Sequence, residues 1–433
     1  MQRGKYRWGV SDLLHKLASV PQEIIHWAKD KTDTFLYEKD QLEHIQVIQI
    51  RDEEVGILQA QLRGLLDPAM SVKGKSLSDA SSAAESLSAA DQELVRHIRL
   101  ETARRNRSNI TRTAAYLDMF TRHPELHWSF LAHMVSRNGG WNMTDLKGEL
   151  LPYLLSTIQQ EHVYAFLERA NALIFHDAYP QLLLYEASLR AGKPKFHCLR
   201  GLNVSSFMLP VWELFWERRD SALLTMALIV NEQHYIEHRV VRHPTYRTTV
   251  LDTLFFNAQS KLQLNQVVFP YYVDGRLRLA GLILESFSDL QERIELGKKL
   301  YAILFGIPVV LEGAVRYAAA QRHTGSRSDY FPHLFAPIRQ APPVPRGQLK
   351  EWLDGCSLRP GAAPLYSPRL TDVWKDRPVD EIEPEDWLSA ETIDASLRYL
   401  ASVEPPFSFD MTHEYCFGLN KIELAVLAGD LWS

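Results

Sequence analysis

The chain has 433 residues, of which 46% are apolar and 10% aromatic, and this composition excludes a disordered protein as the general description. Its 48 Lys and Arg residues are balanced by 53 Asp and Glu residues, so no whole-molecule field draws it to nucleic acid or to an anionic membrane. Because a chain of this length exceeds the usual size of one hydrophobic core, we expect two domains, or one large domain with appended segments.

The first three segments of the chain differ in composition. Residues 1–66 have apolar side chains at three- and four-residue steps, which predicts an N-terminal helical segment. Residues 67–91 are rich in Ser and Ala and nearly free of branched or aromatic side chains, so we expect a flexible linker or insertion. Residues 92–336 are dense in helix signals and are predicted to form a central helical domain.

Several helix starts in the central segment have a local cause. Asp220 or Ser221 and, further on, Asp289 precede apolar runs and are predicted N-caps, because their side chains can accept from free backbone N–H groups. Pro308 suits the first turn of the next helix, where a missing N–H costs nothing. Ser205 or Ser206 is predicted to start an earlier helix.

One strand pair interrupts this helical pattern. The sequence QVVFPYYVDGRLRLAGLIL places Asp274-Gly275 between two apolar arms, which is a strong β-hairpin signal. Pro270 confines its strand to an edge or a bulge, because proline has no N–H to donate. The expected fold class is therefore mainly α, a multi-helix globular domain with at most one small β-hairpin.

The last segment, residues 337–433, is rich in proline. Two short helical patterns follow the prolines, near Glu391 to Val403 and near Lys421 to Leu431. A segment of this composition is expected to pack on the central domain without forming a core of its own.

Cysteine usage and hydropathy favour a cytoplasmic protein. Cys198, Cys356 and Cys416 are far apart and form no CxxC pair, which favours a reducing compartment over a disulfide framework or a cysteine-rich zinc site. The first residues contain no apolar run of signal-peptide length. The longest apolar stretch, Leu300 to Leu311, contains Pro308 and is shorter than the roughly 20 residues of a spanning helix. We expect no membrane span, and the sequence leaves oligomerisation open.

The most specific stretch is HPELHWSFLAHMVSRNGGWNMTDLK, residues His123 to Lys147. Pro124 is predicted in the first turn of a helix, and Asn138-Gly139-Gly140 is predicted to end it in a left-handed cap. Asn142, with Asp145 three residues later, is predicted to cap the next helix. The stretch would then hold a junction between two helices.

Two interpretations of this junction remain open. Apolar residues cover most of the first helix, so His127 and His133 are expected to be buried with hydrogen-bond partners or a ligand. The free N–H groups at the next helix start favour an anion, which predicts a pocket for a small polar or anionic ligand. Alternatively, the polar side chains only tie buried helices together. The candidate ligand-binding residues are Asn109, Arg112, His127, His133, Arg137, Asn138, Trp141 and Asn142.

A second candidate site is the string His234-Tyr-Ile-Glu237-His238, an HxxEH pattern. Two His residues four apart can reach one zinc ion, and Glu237 can act as the catalytic base on metal-bound water. The spacing resembles that of the inverzincin metallopeptidases, with Glu312 as a possible third metal ligand, although the flanking residues do not match them. A zinc-dependent hydrolase is the alternative function, against solvent-facing or helix-contacting histidines.

A third candidate is the basic run from Arg96 to Arg112, which predicts nucleic-acid binding as the second alternative function. Its arginines can contact phosphates, but no aromatic residues are interleaved with them. A solvated or ion-paired helix face is the competing interpretation. The run contains Arg96, Arg99, Arg104, Arg105, Arg107 and Arg112 against Glu101.

Other catalytic patterns are weak or absent. The sequence has no GxSxG, no Walker phosphate loop and no GxGxxG after a strand. Glu161, Glu168, His176 and Asp177 lie along one predicted helix and could in principle do acid-base work, but most such groups are surface ion-pair partners. The sequence does not decide whether the protein is an enzyme.

Three segments together carry a family resemblance: NITRTAAYLDMFTRHPELHWSFLAHMVSRNGGWNMTDLKG, ALIVNEQHYIEHRVV and ERIELGKKLYAILFG. They resemble an uncharacterised bacterial family of Gram-positive spore formers (Firmicutes), sometimes labelled YppC-like. The resemblance covers most of residues 92–324 and much of the remaining chain. Because the function of that family is unknown, it implies no catalytic residues. The leading hypothesis is a structural or small-ligand-binding module without catalysis.

Overall fold

A computed structural model describes residues 32, 34–66, 87–253, 265–379, 382 and 385–431. Most of the predicted linker, residues 67–86, lies outside the described residues, and its last three residues already belong to a helix. The mainly α fold class is confirmed. The helices are α1 (Asp52–Leu66), α2 (Ala89–Arg105), α3 (Asn109–Arg122), α4 (His127–Asp145), α5 (Thr157–Ala191), α6 (Met208–Arg218), α7 (Ser221–Ile236), α8 (Pro244–Tyr246), α9 (Leu290–Gly306), α10 (Pro308–Ala320), α11 (Leu370–Val373), α12 (Ala390–Leu397) and α13 (Thr412–Leu431).

Short strands and tight helical turns complete the described structure. Two-stranded sheets pair β1 with β2, β3 with β6 and β4 with β5. The strands are β1 (Gln266–Val273), β2 (Arg276–Ile283), β3 (Phe335–Ala336), β4 (Leu353–Asp354), β5 (Ser357–Leu358) and β6 (Leu365–Tyr366). The 3-10 segments are Leu151–Tyr153, Phe196–Leu202 and Arg327–Asp329, and the π-helical segments are Glu237–Val241 and Arg247–Leu251.

Most of the predicted helix starts are confirmed by their caps. The Asp220 carboxylate accepts from two backbone N–H groups in the first turn of α7, and Asp289 does the same for α9. Pro308 opens α10. The exception is α6, which begins at Met208, slightly later than the predicted serines.

The predicted helix boundary inside residues 123–147 is wrong. Helix α4 runs without a break through Asn138, Gly139 and Gly140 to Asp145, and Pro124 lies in the turn before it. Glycine in a helix interior costs about 0.5–1 kcal/mol relative to alanine. At Gly140 the absence of a side chain is needed, because the Asn109 and His323 side chains occupy the space that a Cβ would take.

The predicted hairpin is confirmed. Strands β1 and β2 are antiparallel, and the turn between them places Asp274 at φ 49° and Gly275 at φ 71°. Positive φ at both positions matches the right-handed twist of the strands, which explains the Asp-Gly pair. Pro270 faces Leu279 in this two-stranded sheet.

The C-terminal segment packs against the second half of α4 and against α5. Leu353, Trp374, Tyr415 and Leu419 belong to one apolar cluster with Trp141. Helix α12 matches the first predicted tail helix approximately, whereas α13 begins nine residues before the predicted Lys421.

Two of the three cysteines are paired, although their spacing argued against a disulfide framework. Cys356 and Cys416 form a disulfide with a Cα–Cα distance of 5.2 Å, although 60 positions separate them. Their pairing arises because the β4–β5 turn packs against α13, a tertiary contact that spacing along the chain does not reveal. Cys198 is free and buried.

No single helix in the described ranges is long and apolar enough to cross a membrane. The consecutive helices α9 and α10 meet the length and composition test only when taken together, and they are bent by 89° relative to each other.

Candidate functional site

His133 and Arg137, one turn apart on α4, form a buried polar contact. The Nδ1 of His133 lies 2.8 Å from the Thr113 carbonyl oxygen, which can only accept, so Nδ1 carries the proton. The other ring nitrogen, Nε2, then accepts from Arg137 Nε at 3.1 Å. Burial, together with the Arg137 charge, lowers the pKa of His133 to about 3. This imidazole is therefore a neutral structural link between α3 and α4.

The Arg137 guanidinium fastens α4 to the end of α10. It donates to the Gln321 carbonyl oxygen and lies 5.0 Å from the centre of the Tyr317 ring. Arg137 is only 1% exposed, so its charge does not face solvent. Hydrogen bonds to groups of this protein occupy the positions that a bound anion would need.

Asn109 and His323 meet beside α4, close to His133 and Arg137. The Asn109 amide nitrogen donates to the Ser136 carbonyl oxygen at 2.8 Å, and its oxygen accepts from His323 Nε2 at 2.7 Å. Burial holds the pKa of His323 well below its usual value. A Cβ on Gly140 would lie 2.6 Å from the Asn109 oxygen and 2.7 Å from the His323 ring. Gly140 therefore makes room for this hydrogen bond.

Replacing Gly140 with alanine is expected to lower the free energy of unfolding by about 1–3 kcal/mol, because two buried, hydrogen-bonded side chains must move. Chemical denaturation followed by circular dichroism measures the change. Gly56→Ala is the matched control: Gly56 is also inside a helix, but nothing lies within 4 Å of its would-be Cβ. That variant is expected to gain about 0.5–1 kcal/mol. Equal stability of the two variants would contradict the close-packing role of Gly140.

The remaining predicted residues of α3 and α4 lie in separate contacts. Arg112 forms a buried ion pair with Glu168, at 2.6 Å. His127 is half-buried, stacks on Phe305 and bonds Tyr301 Oη at 2.8 Å, and burial lowers its pKa to about 4. The eight candidate residues are thus divided among several helix contacts and do not line one pocket.

The Asn138 side chain forms hydrogen bonds with a β-strand and does not cap a helix. Its amide nitrogen donates to the Val268 carbonyl oxygen, and its amide oxygen accepts from Val268 N–H, both at 2.9 Å. The side chain therefore bonds β1 as a neighbouring strand would. Asn142 lines a cavity of about 10 Å³ that also touches Trp141, which leaves too little room for more than one water molecule.

The sequence interpretation missed the partners of Trp141. The Arg327 guanidinium lies 4.1 Å from the centre of the Trp141 ring and donates to Tyr415 Oη at 2.6 Å and to Asp145 at 2.7 Å. These contacts link the end of α4 to α13. Asp145, predicted to cap a helix, is instead the counterion of a buried arginine.

The structure does not assemble the HxxEH residues into a metal site. His234 stacks on Trp387 at 4.2 Å and approaches Ser396 Oγ, and Glu237 is buried between Arg242 and Arg293. His238 and Glu312 are exposed. The helix changes to π geometry at Glu237, so the four-residue spacing of His234 and His238 does not place them on one face as in the regular α-helix that the prediction assumed.

The arginines of the basic run lie on different elements and have several different partners. Its first four arginines lie on α2, whereas Arg112 is buried in α3. Each of the six has a partner among the described residues, which favours the ion-paired interpretation. Arg96 pairs with Glu93, Arg104 and Arg105 pair with Glu101, Arg107 approaches Asp376, Arg112 pairs with Glu168, and Arg99 donates to the Gly201 carbonyl oxygen.

The four α5 residues that could do acid-base work also lie in separate contacts. Glu161 approaches Lys147 at 3.8 Å, and Glu168 neutralises Arg112. Burial raises the pKa of Asp177 to about 7 and lowers that of His176 to about 4. Asp177 is only 1% exposed, so it does not reach a substrate from solvent in this conformation.

Glu232 on α7 interacts electrostatically with Asp177, and no sequence pattern indicated that its pKa is shifted. Its carboxyl accepts from Trp128 Nε1 at 3.1 Å, and burial raises its pKa to about 8. The flanking sequence carries no signal for this, because the burial of Glu232 depends on how α4, α5 and α7 meet.

An open groove lies at the true junction between α4 and α5. It has a volume of about 650 Å³, within the usual range for small-molecule sites. One wall is the turn after α4 and the first turn of α5, and the other is the proline-rich segment around Pro343. This is the junction that the sequence placed too early, at residues 138–142.

Positive charge dominates the groove. Lys147, Arg339 and Arg346 line it, against one carboxylate, Glu149. Arg339 donates to Glu149 at 2.8 Å, and Arg346 donates to the Tyr153 carbonyl oxygen at 2.6 Å. Glu149, together with Glu161 at 3.8 Å from Lys147, therefore compensates part of the positive charge.

The start of α5 also borders the groove. Ser156 caps the helix: its hydroxyl accepts from Gln159 N–H, and the Gln159 side chain accepts from Ser156 N–H. No acidic side chain occupies the first turn. The partial positive charge of this helix end thus adds to that of the three cationic side chains.

Residues 104–411 match the model of a family described as a protein of unknown function, DUF2515. The chain belongs to the DUF2515 family. It is similar to the uncharacterized protein YppC of Bacillus subtilis (strain 168), with 43% identity over 238 residues, which cover 55% of this chain and 73% of the relative. No solved structure matches. The resemblance stated from the sequence is confirmed, and the family supplies no known function.

The DUF2515 match places the features above in relation to the family. Residues 104–411 include all eight candidate residues of α3 and α4 and every residue that lines the groove. Asp91, at the start of α2, lies before the DUF2515 match. The groove and the buried contacts of α4 therefore belong to the family region.

Proposed function

We propose that this DUF2515 protein is a non-catalytic module that binds a small anionic ligand, bearing phosphate or carboxylate groups, in the groove between α4 and α5. The observation that carries the proposal is an open cavity of about 650 Å³ lined by three cationic side chains and one carboxylate.

Charge and geometry both support an anion. Lys147 is about three-quarters buried and lies 4.7 Å from the centre of the Trp374 ring, so its position is constrained. Arg346 is exposed on the opposite wall. An anion between them gains charge-assisted hydrogen bonds and contacts the N-terminal end of α5.

A second cavity, of about 630 Å³, has the opposite character. It is lined by the apolar rings of Phe35 and Phe407 and by the carboxylates Glu38, Asp410 and Glu414. An anion is disfavoured there, because it would approach three like charges. The two cavities therefore favour ligands of opposite charge, and we assign the anionic ligand to the groove between α4 and α5.

Titration with inorganic pyrophosphate, followed by isothermal calorimetry at low salt, tests the proposal. The wild-type chain is expected to bind, and Lys147→Gln with Arg346→Gln is expected to weaken binding by about tenfold for each charge removed. Binding is expected to weaken further as sodium chloride is added, because the groove is open to solvent.

Arg96→Gln is the matched control, because Arg96 is an exposed, ion-paired arginine outside the groove. It is expected to leave pyrophosphate affinity unchanged. The proposal is contradicted if pyrophosphate does not bind, or if the groove double variant and Arg96→Gln have equal affinity. Thermal unfolding of each variant confirms that a loss of binding does not reflect a loss of fold.

A further inference from the structure

Three different metal-ligating side chains meet where α2 begins. Asp91, His197 and Cys198 each present one ligand atom, and these atoms all lie within 4.8 Å of one another. Asp91 is in the first turn of α2, and the other two residues belong to the 3-10 segment Phe196–Leu202. Among the described residues, this is the one group of three or more such side chains with metal-binding spacing.

The spacing suits a tetrahedral ion after small shifts of the ligand atoms, some inward from up to 4.8 Å and the His197–Asp91 pair slightly apart. Zinc bonds of roughly 2.0–2.3 Å place neighbouring ligand atoms about 3.3–3.6 Å apart. The His197 Nε2 and Asp91 Oδ2 atoms are 3.1 Å apart. A carboxylate, an imidazole and a thiolate together form a donor set of the kind that zinc and similar borderline-soft divalent ions prefer.

The cluster is supported on the protein side and open on the solvent side. Ser88 Oγ donates to Asp91 Oδ2 at 2.7 Å and holds the carboxylate in place. Cys198 is fully buried, whereas the His197 side chain is 52% exposed. An ion can therefore approach past His197, and water can fill a fourth coordination position.

The Lys195 ammonium group already interacts with this carboxylate. Its Nζ lies 2.8 Å from Asp91 Oδ1. The cluster thus holds a cation that is part of the chain, and an incoming metal ion has to displace it. Lysine has a long, flexible side chain, so it can turn out to solvent and remain protonated.

We propose that Asp91, His197 and Cys198 form a binding site for a zinc-class divalent cation, with Lys195 as a competing cation built into the chain. On binding, the Cys198 thiol releases its proton to solvent, and the His197 ring proton moves from Nε2 to Nδ1 by exchange with solvent, so that Nε2 offers its lone pair. Asp91 exchanges its contacts with Lys195 and His197 for the metal. One proton is released for each ion bound. The site is independent of the groove between α4 and α5.

Titration of the tag-free full-length chain with Co²⁺, without reductant, tests the assignment by absorption spectroscopy. Cys356 and Cys416 are joined in the disulfide, so Cys198 is the remaining thiol of the three cysteines. We expect one equivalent of Co²⁺ to produce a thiolate-to-metal charge-transfer band, and one equivalent of Zn²⁺ to remove it. Cys198→Ser is expected to abolish the band.

Substitutions of the exposed residues His197 and His238 are not expected to disturb the fold, so they test Co²⁺ binding separately from stability. His197→Ala is expected to weaken Co²⁺ binding by more than about tenfold, since even groups outside the coordination shell have effects of that size. His238→Ala, which removes an exposed imidazole elsewhere, is expected to leave binding unchanged. Lys195→Met is expected to tighten Co²⁺ binding, because it removes the competitor.

Each alternative outcome overturns the assignment. A Co²⁺ complex without the charge-transfer band places the ion away from Cys198. Equal affinity of His197→Ala and the wild-type chain removes the imidazole from the site. Weaker binding in Lys195→Met, with unchanged thermal unfolding, contradicts the role of Lys195 as a competitor.

Discussion

Replacing Glu168 with leucine is expected to lower the free energy of unfolding by about 3–5 kcal/mol, because it strands a buried positive charge. The Arg112 and Glu168 side chains are 1% and 6% exposed and meet at 2.6 Å. Without the carboxylate, Arg112 keeps only its hydrogen bond to Asn106. Denaturant unfolding of the wild-type and variant chains measures the loss.

The double variant Arg112→Met with Glu168→Leu separates loss of charge from loss of packing. It is expected to regain most of the stability, because two apolar side chains of similar volume replace the pair and no charge stays buried. The surface pair of Arg63 and Asp394 is the control, with both side chains more than half exposed. Arg63→Met is expected to cost less than about 1 kcal/mol. A similar cost for Arg63→Met and Glu168→Leu would contradict the buried-charge argument.

Loss of the Cys356–Cys416 disulfide is expected to lower the free energy of unfolding by about 4 kcal/mol. A cross-link between residues 60 positions apart restricts the unfolded chain, and the loop-entropy relation gives that magnitude for a loop of this length. Urea unfolding of the wild-type chain, with and without reductant, measures the effect. The double variant Cys356→Ser with Cys416→Ser is expected to match the reduced wild-type chain.

Two controls accompany this comparison. Adding reductant to the double serine variant is expected to change nothing, because its remaining cysteine, Cys198, is free. Alkylation of the denatured, unreduced wild-type chain is expected to modify one cysteine. Modification of all three would contradict the disulfide.

The sequence was sufficient where a feature depends on neighbouring residues. The Asp274-Gly275 hairpin depends on the backbone conformation of its two turn residues. In the caps, the Asp220 and Asp289 side chains accept from backbone N–H groups two or three positions later. Such signals survive in a single sequence because no distant contact is needed to produce them.

The sequence failed where distant segments decide the outcome. Asn138 to Gly140 has the composition of a helix end, but Asn109 and His323 pack against Gly140 and keep the helix continuous. The junction with its free helix start was therefore predicted too early. The groove wall that contains Arg346 comes from a segment about 190 positions later in the chain than Ser156, and no local pattern indicates that they meet.

On α4 the sequence predicts which polar residues are buried but not which groups complete their hydrogen bonds. Periodicity correctly placed His133 inside, but it could not show that Thr113 and Arg137 complete its hydrogen bonds. A polar residue with all its bonds made inside the protein looks the same in sequence as one that waits for a ligand.

The Asn138 side chain also has a consequence for how copies of this protein meet. It bonds both backbone groups of Val268 on the outer side of β1, and on the outer side of β2 the Gly281 N–H donates to the Phe409 carbonyl oxygen. Pro270 contributes no N–H to β1. The Val268 backbone groups and the Gly281 N–H are therefore not open to a second chain, which protects these parts of the two margins against intermolecular strand pairing and aggregation.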